Sequence, residues 1–222
     1  MYQYKTLSNG IKVVAEKIDY LKSISIGVWV GNGSRYENKE VNGISHFIEH
    51  MLFKGTKNRS AAQIAHEIDS VGGQLDAFTS REYTCFYTKT LDSHIPIALE
   101  ILSDMLYNPS LSPDDMSLER QVIKEEIRMY EDSPEDLVYD LSSYAAWGDT
   151  PMGRTILGTY ESLDSITPDI MRNYMNNHLY KCEYYNISIR KFLTIRFLNF
   201  LKSISVQKKC LTQNRIFPTH LI

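Results

Sequence analysis

No run in the 222 residues approaches the roughly 18 uncharged apolar positions of a membrane-spanning helix. The opening, "MYQYKTLSNGIKVVAEK", alternates apolar and polar residues. It lacks the charged start, apolar stretch and small-residue cleavage site of a secretory leader. Cysteine is scarce: Cys85, Cys182 and Cys210 are odd in number, far apart and without a CxxC pair. That argues against a disulfide framework and fits a reducing compartment, so a soluble, cytoplasmic protein is expected. Basic charge is not in excess either, with 24 Lys and Arg against 27 Asp and Glu and a formal net charge of −3. A nucleic-acid partner is therefore not expected. One further absence is local. Seven of the 24 basic residues and none of the 27 acidic ones fall in residues 190–222, leaving the body at −10 and this tail at +7.

What is present reads as strands first, helices later, and a returning strand. "YQYKTL" and "IKVVAEKI" flank Asn9-Gly10, the signature of a hairpin turn, and "SISIGVWVGNGS" follows as a third strand. Residues 44–54 read as a short helix, opened by Asn42-Gly43 and closed by Gly55. A second helix starts at the N-cap Ser60 and stops at Gly72-Gly73, and "QLDAFTS" and "YTCFYTKTL" are two more strands. From Ile95 to Trp147 the chain is mostly helical; a further helix is capped by Thr167, and "EYYNISI" is the last strand. The expected fold is α+β, a single domain over residues 1–189 whose mixed or antiparallel sheet is covered mainly on one face by helices.

The chemistry concentrates in "NGISHFIEHMLFKG", residues 42–55. Two histidines four apart on a helix point the same way, about 40° apart, and neutral imidazoles suit Zn²⁺. Glu49 sits beside His50 and one turn from His46, placed to take a proton from an attacking water without being a ligand. A buried polar cluster or a pair of solvated histidines is the plainer reading. The H-x-x-E-H unit favours metal because its spacing has a mechanism.

A catalytic zinc takes three protein ligands and leaves one position open. His66, His94, His178 and His220 are poorly placed for the third. On the helix from Asp114 to Tyr130, steps of about 100° per residue put Glu119 and Glu126 about 20° apart. Met116, Val122, Ile123, Ile127 and Tyr130 surround them on the same apolar face, whereas Glu125 falls on the polar side with Gln121, Lys124 and Arg128. Burying two ionised carboxylates without a cationic partner costs several kcal/mol each. A divalent metal held by His46 and His50 would supply that charge; core arginines are the alternative. The helical wheel leaves Glu119 and Glu126 unranked.

"GSRYE", "NGISHFIEHMLFKGT", "GGQLDAFTSREYTCFY" and "LERQVIKEEIRMYEDSPED" together resemble, in order, blocks of the M16 (pitrilysin-like, inverzincin) zinc metallopeptidases. The likeness covers most of residues 1–189 and is nearest to bacterial members of processing-peptidase type. It implies that His46, His50 and Glu126 bind one Zn²⁺, that Glu49 is the base, and that Glu119 is a supporting acid. It also implies that a peptide substrate docks as an added strand along Asp76, Ala77, Phe78 and Thr79, with Asp76 where the family more often has Asn. The implied activity is zinc-dependent endopeptidase cleavage of peptides or unfolded segments. Family chains normally continue into a second homologous domain that helps to enclose the substrate. Beyond residue 189 this sequence departs from that pattern. The tail is expected to be out-of-frame sequence on a truncated protein, with a basic membrane-surface segment as the rival reading. An inactive fragment, or a non-catalytic interaction subunit of an assembly of this type, is the alternative function; association into homo- or hetero-oligomers through the missing-domain surface is a further expectation.

Overall fold

The computed structural model of the chain describes residues 2–7, 11–16, 18, 20–180 and 185–189. The hairpin residues Asn9 and Gly10, Cys182, Cys210 and the whole basic tail lie outside the described residues.

Strands β1 (Tyr2–Thr6) and β2 (Lys12–Glu16) pair antiparallel, as the hairpin pattern requires. β3 (Ser23–Val30), β4 (Gln74–Thr79), β5 (Thr84–Leu91) and β6 (Tyr185–Ile189) complete a six-stranded sheet in the order β1-β2-β6-β3-β5-β4. β6 inserts between β2 and β3, parallel to the first and antiparallel to the second, and every other pairing is antiparallel. The sheet is thus mixed. Its faces follow the two-residue period of a strand. Ile24, Ile26, Val28 and Val30 of β3 and Val13 and Ala15 of β2 are buried on one face, with Phe86 of β5 opposite Val28. The alternate positions of β3, β4 and β5 carry Trp29, Phe78 and Tyr87 on the opposite face, where Trp29, Phe78 and Tyr83 meet one another and Tyr87 meets Phe78.

Helices cover the first face. α1 (Ile44–Leu52) buries Ile44, Phe47, Ile48, Met51 and Leu52, the stripe expected of an amphipathic segment. α2 (Ala61–Ser70) starts with a reciprocal capping box between Ser60 and Gln63. α3 (Ile95–Tyr107) is the most apolar, packing Ala98, Leu99, Ile101, Leu102, Met105 and Leu106 into the core beside β5. α4 (Pro113–Glu131) and α5 (Pro134–Trp147) begin alike, with a capping serine, a proline and two acids in the first turn. Short helices α6 (Tyr160–Ser165) and α7 (Pro168–Tyr174) follow, the latter running on as a π-turn over Met175–Leu179. α6 was not expected from the sequence, although Thr159 and Ser162 form its capping box.

α4 departs from its helical wheel in one respect. Met116, Glu119, Ile123 and Ile127 are buried, but Val122 and Tyr130 are exposed. α4 packs along α1, α5 and α6 rather than across the sheet, so only a narrow stripe of its apolar face is enclosed. Glu119 lies within that stripe and Glu126 at its border.

Candidate metal centre

The ends of α1 are fixed before its histidines matter. Glu37 is 2% exposed, and its carboxylate accepts from the backbone N–H of Gly43 (2.7 Å) and Ser45 (2.9 Å) and from Asn42 Nδ2 (3.1 Å). An acid at a helix N-terminus satisfies orphan N–H groups and complements the helix dipole. Burial pushes the Glu37 carboxyl above the usual carboxylate range, against the pull of those donors. Gly43 is the N-cap residue, with φ of 90°. A Cβ there would stand 2.6 Å from the carbonyl oxygen of Leu157, so the helix start and the 155–158 loop fit only around glycine. Replacing Glu37 by Ala leaves the buried N–H groups of Gly43 and Ser45 unpaired, while Asn42 Nδ2 keeps the Thr155 carbonyl, and is expected to destabilise the fold by about 3 kcal/mol. Chemical denaturation measures it; a change within about 0.5 kcal/mol would remove this role from Glu37.

Anchored in this way, α1 lies against α4 with His46, Glu49 and His50 turned toward it and toward β4. His46 Nε2 stands 3.8 Å from Glu126 Oε2, and His50 Nε2 stands 3.6 Å from Glu126 Oε1. One ligand atom from each of the three residues lies within 4.8 Å of the other two. Burial, reinforced by the neighbouring His50, pushes His46 down to about 3, so its imidazole is neutral near pH 7. These separations exceed hydrogen-bonding distance, and a neutral His46 makes no ion pair. Three lone-pair donors therefore converge on a common gap. A tetrahedral zinc with bonds of about 2.0–2.1 Å sets its ligand atoms about 3.3 Å apart, so this donor set could hold one with a small contraction.

Glu126 and Glu119 differ in what they touch. Glu119 Oε2 is 3.1 Å from His50 Nδ1, the ring nitrogen turned away from Glu126. Its other oxygen, Oε1, is 2.7 Å from Lys54 Nζ. The cation that balances Glu119 is thus a lysine, a third choice beside the metal and the core arginines weighed from the sequence. Lys54 was missed as a site residue, although it continues the four-residue spacing of His46 and His50.

Glu49 accepts a hydrogen bond from Thr79 Oγ1 at its Oε2, which leaves Oε1 uncommitted to any hydrogen bond among the described residues. Burial raises the pKa of Glu49; the Thr79 bond and the nearby His50 oppose the shift. A cleft of about 240 Å³ opens beside it, with His46, Ala77, Phe78, Thr79 and Tyr130 in its walls. Of the four residues expected to meet substrate, Ala77, Phe78 and Thr79 border this cleft. Asp76 does not: its carboxylate accepts from Ala77 N–H (2.8 Å) and Tyr87 Oη (3.0 Å), turned to the aromatic face. β4 ends the strand order, so one side of its backbone has no strand partner among the described residues.

Two histidines and a glutamate thus converge beside a cleft at the edge of a mixed sheet, and the comparisons give the chain a family. The family model described as "Insulinase (Peptidase family M16)" matches residues 12–160. The chain belongs to peptidase family M16. It is 48% identical over 178 residues to a protein of Bacillus subtilis named "Uncharacterized zinc protease", covering 80% of this chain and 44% of that one. Over 173 residues it is 42% identical to a probable mitochondrial-processing peptidase subunit beta of Arabidopsis thaliana, covering 78% of this chain and 33% of that one. The fold is similar to that of a protease from Helicobacter pylori, with TM-score 0.86 at 24% identity over all of this chain and 54% of that chain. An M16 inactive domain from Pseudomonas fluorescens gives TM-score 0.85 at 15% identity, covering 97% of this chain and 53% of that chain. The chain spans less than half the length of the two named sequence relatives. No helix among the described residues is long and apolar enough to cross a membrane.

Proposed function

We propose that the chain carries the catalytic half-site of a zinc-dependent endopeptidase acting on peptides or unfolded segments. The observation that carries this reading is the meeting of His46, His50 and Glu126 around one gap, with Glu49 beside it in a cleft bordered by an edge strand. His46, His50 and Glu126 hold the ion. A bound zinc supplies a Lewis acid that polarises a scissile carbonyl and lowers the pKa of water toward about 7. The substrate chain adds to the free side of β4, its main chain pairing along Asp76–Thr79 and tolerating varied sequences. Glu49 takes the proton of the attacking water at Oε1 and passes it to the leaving amine. Its raised pKa suits a group that must hold a proton briefly. Thr79 keeps Oε2 occupied, so the strand that receives the substrate also orients the base.

A second reading is a subunit that binds peptides without cleaving them, since one protein of similar fold is described as an M16 inactive domain. One assay separates the two. The purified chain is expected to hydrolyse a quenched fluorescent peptide, to stop on addition of a chelator and to resume when zinc is returned. Zinc binding without turnover would favour the non-catalytic subunit; absence of both would refute the metal site as well.

A further inference from the structure

Lys54 lies two residues past the end of α1, in the turn where its N–H bonds the carbonyl of Met51 at 3.2 Å. His46, His50 and Lys54 therefore recur at four-residue intervals and face α4 in a row. Across from them, Glu126 meets the two histidines and Glu119 meets His50 and Lys54. The two acids are seven residues apart, two turns of α4.

Glu119 is held at both ends of its carboxylate. Lys54 Nζ grips Oε1 at 2.7 Å, and Oε2 receives His50 Nδ1 at 3.1 Å. An imidazole that donates from Nδ1 keeps the lone pair of Nε2, the nitrogen that stands 3.6 Å from Glu126. His46 has no comparable brace, because its buried Nδ1 has no hydrogen-bond partner among the described residues. The order of the paired ligands thus depends on the His50 side. Glu119 is 6% exposed, so without Lys54 its carboxylate would sit in the protein with, among the described residues, the His50 ring alone to fix its plane.

We propose that Lys54 is a positioning residue for the zinc centre, acting through Glu119 on the ring of His50. The proposal rests on the zinc reading of the site and adds a residue that never touches the ion. Partners of this outer kind change metal affinity by about 10–100-fold when removed. Lys54→Met keeps the aliphatic stem and deletes the charge; Lys54→Arg keeps the charge.

The test is a double-mutant cycle on the whole chain with Lys54→Met, Glu119→Gln and the two combined, beside Lys54→Arg. Zinc dissociation constants are measured by competition with a chromophoric chelator, and thermal unfolding of the metal-free proteins is followed in parallel. Lys54→Met is expected to weaken zinc binding by about 10–100-fold at temperatures well below unfolding. Lys54→Arg should restore most of that loss, and Lys54→Met should cost little more once Glu119→Gln is present. Affinity equal to wild type in Lys54→Met overturns the proposal, as does an undiminished loss in the Glu119→Gln background. Should the methionine variant not fold, Lys54→Gln takes its place in the same cycle. Failure of the parent chain to bind zinc is a different result, and it refutes the metal site itself.

Discussion

Glu49→Gln is expected to lower peptide hydrolysis by about 100- to 10,000-fold, the range carried by a positioned proton-transfer group. Zinc content should stay at that of the parent, because His46, His50 and Glu126 are untouched. The amide keeps the size of the side chain and can still pair with Thr79 Oγ1, so the cleft should keep its shape. What it loses is the ability to take a proton at the second oxygen. The expected signature is a fall in kcat with KM nearly unchanged, since the proposed docking of substrate on β4 does not involve Glu49. Turnover within a factor of two or three of the parent would remove Glu49 from the mechanism. Metal analysis on the same preparation guards against a trivial cause.

His46→Ala and Glu126→Ala act at the preceding step. Each deletes one of three donors, and each should weaken zinc by more than about a hundredfold, beyond the range for an outer partner. Hydrolysis should fall with occupancy and return only partly in excess zinc. Glu125→Gln is the matched control. Glu125 adjoins Glu126 in sequence but pairs with Arg128 on the exposed side of α4, with a side chain 62% exposed. It should bind zinc as the parent does. Equal losses in Glu125→Gln and Glu126→Ala would mean that general negative charge, not ligation, attracts the ion.

A good part of this site is legible in one dimension. Helical spacing puts His46 and His50 on one side of α1 and Glu119 with Glu126 on one side of α4, because 3.6 residues per turn is a property of the backbone alone. Caps at Ser60, Ser112, Ser133 and Thr167 are equally local, each serine or threonine accepting from an N–H three residues on. α6 escaped notice because six residues give too short a window for periodicity. Val122 and Tyr130 misled for another reason: a helical wheel ranks positions around an axis and says nothing of how wide a stripe the neighbours will cover.

The sequence by itself therefore determined the longer elements, the H-x-x-E-H unit and the two acids worth weighing, all through contacts a few residues apart. Tertiary structure alone decided the insertion of β6 between β2 and β3, the packing of α1 against α4, and the different partners of Glu126 and Glu119. It also decided that Glu37 would hold the start of α1 and that Lys54 would neutralise Glu119. These are meetings of groups from six to more than a hundred residues apart in the chain. Local propensity carries no term for them; they follow from the joint burial of the helices on one sheet face, which sets distances no spacing rule contains.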